Sequence, residues 1–248
     1  MARKMRLTPE RLAPEHLAPE HLALFPPFSG ETGRLAGRSD VPTEAEWEAV
    51  ADSLLANAPA DGQIWIFAYG SLIWNPGFDY VEERLGTARG WRRSFCVSWV
   101  RLHRGTPERP GIMLGIESGG ACRGVIFRLP VERRREELLK ILRREMPIRW
   151  DEVFARWMTV MTDQGPVKAL GFPVSRRHRA YLADLDVATV VEALATAAGE
   201  RGSMAEYLHN TVLHLAERGI HDRYLWDMQD RVARRIEQGP PRPVLALG

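Results

Sequence analysis

Two stretches of the chain carry residue types whose placement suits chemistry. Glu145 stands at the C-terminal end of a helix-like segment that stops near Arg144. There the helix macrodipole disfavours negative charge and raises a carboxyl pKa, and a carboxyl group poised near neutrality can both take and give a proton. By residue type alone the position also fits a solvated side chain beside Arg143 and Arg144. The second stretch is Ile64-Trp65-Ile66-Phe67-Ala68-Tyr69, an apolar and aromatic run that breaks at Gly70-Ser71. Glycine permits backbone angles other residues resist, and serine hydrogen-bonds to nearby main chain. The predicted tight turn points successive N–H groups into one concavity, which suits a carboxylate or phosphate; it also fits an ordinary strand ending. Tyr207 falls on the buried-looking face of a helix with Leu208 and Thr211, where either a core or a site role fits.

Other chemistries find no support in the spacing. His209, His214 and His221 do not form an HExxH pattern, and no Ser, His and Asp set can be ordered. Cys96 and Cys122 are the only cysteines. They lie in strand-like apolar surroundings without CxxC spacing, so reduced core thiols are expected rather than a disulfide framework, metal site or redox pair. Lys plus Arg number 34 against 32 for Asp plus Glu, with a pI of about 8.7. The arginines are scattered, which argues against a nucleic-acid partner. No membrane span or signal peptide is visible, so the cytoplasm is the expected compartment and a small molecule the expected partner. The sequence sets no oligomeric state.

The elements that must hold these residues can be read in order. Residues 1–41 carry a repeat, Thr8-Pro9-Glu10-Arg11-Leu12, Ala13-Pro14-Glu15-His16-Leu17 and Ala18-Pro19-Glu20-His21-Leu22. Its prolines forbid a continuous helix, so this is an extension to a single domain spanning 42–237, with a tail over 238–248. Thr43 and Glu46 have capping-box spacing ahead of Trp47, Val50, Leu54 and Leu55, predicting a short amphipathic helix. After the apolar strand, Gly86 and Gly90 mark the entry to a strand in which Trp91, Phe95, Val97 and Trp99 alternate with polar neighbours. The loop His103–Gly111 leads to strands Ile112–Glu117 and Cys122–Leu129, divided by a turn at Ser118-Gly119-Gly120. Pro130 opens a helix to about Arg144 that buries Leu138, Leu139, Ile141 and Leu142, and Pro147 ends it. Val153–Thr162 and Val167–Val174 read as a hairpin across Asp163-Gln164-Gly165-Pro166. Helices follow over Val187–Ala198, after Ser203, and after Asp222. Strands first and helices last is the α+β pattern.

Five motifs in this order, WIFAYGSLIW (Trp65 to Trp74), HRGTPERPG, GVIFRLP (Gly124 to Pro130), REM (Arg144 to Met146) and AEYL (Ala205 to Leu208), resemble the ChaC family of glutathione-specific γ-glutamylcyclotransferases. The resemblance spans about residues 61–237. It implies a mixed β-barrel or sheet flanked by helices, cleavage of glutathione to 5-oxoproline and Cys-Gly, and no metal or organic cofactor. It further implies that Tyr69, Gly70, Ser71 and Leu72 hold the γ-glutamyl group, with Ile73 and Trp74 completing the motif, that Glu145 is the catalytic acid, and that Tyr207 belongs to the substrate site. Arg104, on a loop expected near the sheet end, fits either a guanidinium for the glycine carboxylate of glutathione or a solvated loop arginine. The sequence departs from the family's pattern at Ala68 and Met204, where glycine and asparagine are usual, and at Pro147-Ile148-Arg149-Trp150, where a Gly-Tyr-type segment is usual. Two alternatives share these features: a cyclotransferase for other γ-glutamyl amines or amino acids, and a non-catalytic γ-glutamyl-binding regulator.

Overall fold

The computed structural model describes residues 41–100, 103–107, 109–147, 154–178 and 180–238. The expected extension (apart from Val41), the tail (apart from Gln238) and residues 148–150 of the departing segment lie outside the described residues.

Helix α1 (Glu44–Ala56) starts with the predicted reciprocal cap. Thr43 Oγ1 accepts from the Glu46 amide at 3.3 Å, and the Glu46 carboxylate accepts from the Thr43 amide at 2.7 Å. Five strands then close into a barrel: β1 (Trp65–Ala68), β2 (Glu82–Val100), β3 (Gly111–Arg128), β4 (Arg156–Thr162) and β5 (Gly165–Gly171). Their order is β1-β3-β2-β4-β5, antiparallel except where β5 meets β1 in parallel. The unbroken apolar run of β1 has a direct cause. Trp65 and Phe67 pack with Ile116, Ile126, Met158 and Val160 of the other strands, while Ile66 and Ala68 join the core shared with the helices. A strand covered on both sides keeps no polar face.

Four expectations about the strands are corrected. β2 does not begin near Trp91 but runs from Glu82 straight through Gly86 and Gly90, and β3 is one strand rather than two divided at Ser118-Gly119-Gly120. Gly90 (φ +84°) lies opposite Gly119 (φ +119°) and Gly120 (φ +71°), where the register shifts between Arg89 and Trp91. Left-handed glycines at the same level of both strands bend the ribbon while pairing continues beyond them. The alternation that begins at Trp91 also fails at Cys96. Further register shifts follow Phe95 and Val97, so Cys96 is buried next to Phe95, whereas Arg93 is buried in phase with Phe95. Finally, the β4–β5 hairpin closes on Asp163-Gln164 alone, because Gly165 and Pro166 already pair with Thr162 and Met161.

The helices follow the predicted spacing, except that the one predicted to reach Ala198 stops at Thr196. A short 3₁₀ turn (Val131–Arg133) leads into α2 (Arg134–Glu145), which buries Leu138, Leu139, Ile141 and Leu142. α3 (Val187–Thr196) is capped by Asp186, and α4 (Met204–Glu217) by Ser203, whose hydroxyl accepts from the Glu206 amide at 3.0 Å. α5 (Arg223–Glu237) is capped by Asp222. A two-residue hairpin, β6 (Ala198–Gly199) with β7 (Gly202–Ser203), connects α3 to α4 and has no counterpart in the sequence reading. α3, α4 and α5 pack on one another, and α4 also rests on the turn after β1. Among the described residues no helix is long and apolar enough to cross a membrane.

Candidate active site

The turn after β1 is a 3₁₀ turn, Ser71–Ile73. Its first internal bond runs from the Ile73 amide to Gly70 O at 3.0 Å, so the Ser71 and Leu72 amides lie ahead of the bonded part. Leu72 and Ile73 turn their side chains into the core, where they are 5% and 3% exposed. Of the predicted segment these two therefore anchor the turn, and only their main chain is available to a ligand. Tyr69 donates its hydroxyl to Phe172 O at 3.1 Å, and its own carbonyl accepts from Arg93 Nε at 2.7 Å. The turn is thus tied on one side to β5's exit and on the other to a buried guanidinium.

The end of α2 is brought against this turn. Arg144 donates from Nη2 to Ser71 Oγ at 3.1 Å and from Nη1 to Pro76 O at 3.0 Å and to Asn75 O, while its Nε lies 3.3 Å from Glu145 Oε1. Trp47 Nε1 of α1 donates to Met146 O at 3.1 Å and holds the helix end from behind. The Glu145 side chain is 22% exposed, and Arg144 is its charged partner among the described residues. Its carboxyl is pushed above the ordinary range chiefly by burial, with the Arg144 cation opposing. The helix-end position predicts that direction, but the larger cause is desolvation.

Helix α4 supplies Tyr207. Its hydroxyl lies beside the Ser71 side chain and over Gly70, where an added Cβ would lie only 3.2 Å from it. A side chain at 70 would press on this hydroxyl and require it to give by a few tenths of an ångström. Tyr69 and Tyr207 both feel the Glu145 charge; after burial it is the next cause raising each phenol, Tyr207 to about 12. Trp74 meets Tyr207 edge-on, with ring centroids 6.1 Å apart, and its Nε1 donates to Thr211 Oγ1 at 3.3 Å. Arg104 lies over the Tyr207 ring at 5.4 Å, donates to Ser203 O at 2.8 Å and reaches Glu206 at 3.5 Å. The predicted residues Tyr69, Gly70, Ser71, Trp74, Arg104, Glu145 and Tyr207 thus meet. Arg144 went unrecognised as part of this group; its place next to Glu145 in the REM motif was the available signal.

Thiolate chemistry fares poorly. Cys96 and Cys122 are buried and free, and burial pushes their thiols up to about 12 and about 11, so neither offers a thiolate near neutrality. Among the described residues no cluster of His, Cys, Asp and Glu is arranged to hold a metal. A separate cavity of about 860 Å³ opens between the barrel bend and α5. Its buried carboxylate, Glu117, accepts from Arg92 at 2.8 Å, Arg176 at 3.0 Å and the Tyr181 hydroxyl at 2.9 Å, and is held below the usual carboxylate range. None of the turn residues lines this cavity.

Comparison with known proteins bears on this arrangement. A family model described as ChaC-like protein matches residues 64–235. The chain is 35% identical over 195 residues to the glutathione-specific γ-glutamylcyclotransferase of Escherichia coli (strain K12), covering 78% of this chain and 83% of that protein. It is 29% identical over 186 residues to γ-glutamylcyclotransferase 2-3 of Arabidopsis thaliana, covering 71% and 91% respectively. A crystal structure of the yeast γ-glutamyl cyclotransferase specific to glutathione superposes with a TM-score of 0.62 over 69% of this chain and 96% of that one; at 18% identity this likeness establishes a shared fold. The family match runs from the first barrel strand into the last helix, taking in the turn, Glu145 and Tyr207, and on that ground the chain belongs to the ChaC-like family.

Proposed function

We propose that this protein is a glutathione-specific γ-glutamylcyclotransferase, a lyase in glutathione breakdown that releases 5-oxoproline and Cys-Gly, and that Glu145 carries the protons. In the reaction the substrate's α-amine attacks its own γ-carbonyl carbon. The new C–N bond closes a five-membered lactam, the amide C–N bond to cysteine breaks, and the departing nitrogen takes up a proton. One carboxylate beside both nitrogens serves both transfers: it accepts the proton from the α-amine and returns it to the leaving amine. The observation that carries this reading is Glu145 itself, a carboxyl raised above its ordinary range, beside a turn whose leading amides suit a carboxylate. Seating the α-carboxylate on the Ser71 and Leu72 amides folds the γ-glutamyl chain toward ring closure, and such orientation supplies several kcal/mol. Tyr207, kept protonated at neutral pH, has a hydroxyl to donate to the oxyanion formed on the γ-carbonyl. Arg104 is placed to meet the glycine carboxylate at the far end of the substrate.

Incubation with glutathione followed by chromatography for 5-oxoproline tests the proposal. Release of 5-oxoproline from glutathione but not from other γ-glutamyl amino acids is expected; turnover of the other amides alone moves the assignment to a sister cyclotransferase. The compartment we propose is the cytoplasm, which suits a thiol substrate and two unpaired buried cysteines; cell fractionation checks it. We also propose that residues 42–237 form the catalytic domain. Removal of the flanking segments should leave kcat near that of the full chain, and an inactive or insoluble truncation would place one of them in the core or the site.

A further inference from the structure

Two consecutive arginines end α2, and the helix sends them to different tasks. Arg143 turns to α1, where its Nε reaches Glu44 at 3.2 Å. Arg144, 29% exposed, spreads its nitrogens between the carboxylate of Glu145, the hydroxyl of Ser71 and the carbonyls of Asn75 and Pro76. It therefore joins the carboxylate and the turn that binds substrate through one planar group. We propose that Arg144 is a positioning residue for the cyclisation, its fork fixing the Glu145 carboxylate in register with the Ser71 turn so that the seated amine meets its proton acceptor. This rests on the proposed role of Glu145 as the proton carrier.

The physical basis is the shape of the guanidinium. Its donors lie in one plane at fixed angles, so holding two of them by the turn fixes where the third meets the carboxylate. A lysine ammonium supplies the same charge as a point on a flexible stem and cannot span the same acceptors. Displacing a catalytic group by about 1 Å costs on the order of 100-fold in rate. The cation also opposes the burial that raises the Glu145 carboxyl, so its removal should shift the pH at which that group ionises.

The test uses the full chain carrying Arg144→Gln or Arg144→Lys, read by kcat, KM for glutathione, the pH profile of kcat/KM and Tm. For Arg144→Gln we expect kcat to fall about 10- to 100-fold with a smaller change in KM, and the acid limb to move to higher pH because a neighbouring cation is gone. For Arg144→Lys the acid limb should stay near its original place while kcat remains low. A folded Arg144→Gln variant with the original kcat and acid limb would overturn the proposal, as would full recovery of kcat in Arg144→Lys, which would reduce the role to charge. Should Arg144→Gln fail to fold, the kcat of Arg144→Lys decides the matter. Original turnover in Glu145→Gln would instead defeat the assignment of Glu145; an inactive Glu145→Gln beside an unimpaired Arg144→Gln defeats only this inference.

Discussion

Glu117 and Glu145 are both carboxylates withdrawn from bulk water, and they end in opposite electrostatic states. Glu117 is 1% exposed, yet two guanidiniums and a phenol hydroxyl point at it and hold its pKa down. Glu145 is the more exposed of the two, at 22% of its side chain, yet Arg144 is its charged partner among the described residues, at 3.3 Å, and its pKa is held up. Burial alone therefore does not decide ionisation; the number and aim of the partners does. Glu137, on the same helix as Glu145, is fully buried and has its own donors, accepting from the Asp79 amide and Lys140, both at 2.9 Å. A carboxylate saturated with donors fastens elements together and has no capacity left for a substrate. One left short of donors strains the fold slightly and stays free to exchange a proton.

The sharpest break of this comparison is Glu145→Gln. Glutamine keeps the volume but cannot exchange protons, so kcat for 5-oxoproline release should fall about 10²- to 10⁴-fold. At neutral pH the variant's Tm should rise rather than fall, because a carboxyl whose native pKa is raised costs stability once ionised. A fully active variant with a lowered Tm would put Glu145 in the same class as Glu117.

Glu117→Gln should do the reverse. It turns an amide NH₂ toward donors and should lower unfolding free energy by about 3 kcal/mol, with the half-exposed arginines softening the loss. Turnover per folded molecule should hold, as measured by urea unfolding alongside active-site-normalised kcat. Loss of kcat without loss of stability would make the Glu117 cavity part of the working site.

Acid pH separates the two groups by sign. The stability that Glu117 contributes is present above the ordinary carboxyl pKa of about 4.3 and is lost as pH falls through its depressed native value. The destabilisation from Glu145 is present above its raised native value and disappears as pH falls below the ordinary one. The Tm gaps between each Gln variant and the parent, opposite in sign at neutral pH, should both narrow in acid. A gap that widens would mean that the pKa of that residue is shifted the other way.

Tyr207→Phe probes the rim of the site. It removes the hydroxyl beside Ser71 while keeping the ring between Trp74 and Arg104, and kcat/KM should drop about 10-fold, the size of one hydrogen bond to a developing charge. An unchanged kcat/KM would leave Tyr207 as packing. The smallest effect belongs to Asp52→Ala, which removes a solvent-exposed ion pair to Arg135 at 2.8 Å; the urea-unfolding midpoint should stay where it is, and a lowered midpoint would show that α1 depends on its surface charges.

Features controlled by local physics were legible along the chain. Thr43 with Glu46, Ser203 with Glu206, and Asp222 placed helix starts because a cap is satisfied within a few residues. Ile64 to Tyr69 declared a strand buried on both faces, and Glu145 declared a carboxyl at a helix end. What lay beyond reach depends on partners far along the chain. Gly90, Gly119 and Gly120 read locally as breaks, and only pairing between β2 and β3 turned them into a shared bend. Arg93 shares the phase of Trp91 and Phe95, and only folding brings Tyr69 O, Arg123 O and Asp222 to satisfy its buried guanidinium. The division of labour among the carboxylates likewise arises on folding, since a pKa is set by every donor and every layer of protein around the group, and those arrive from Arg176, Tyr181 or Arg144 only once distant segments have met.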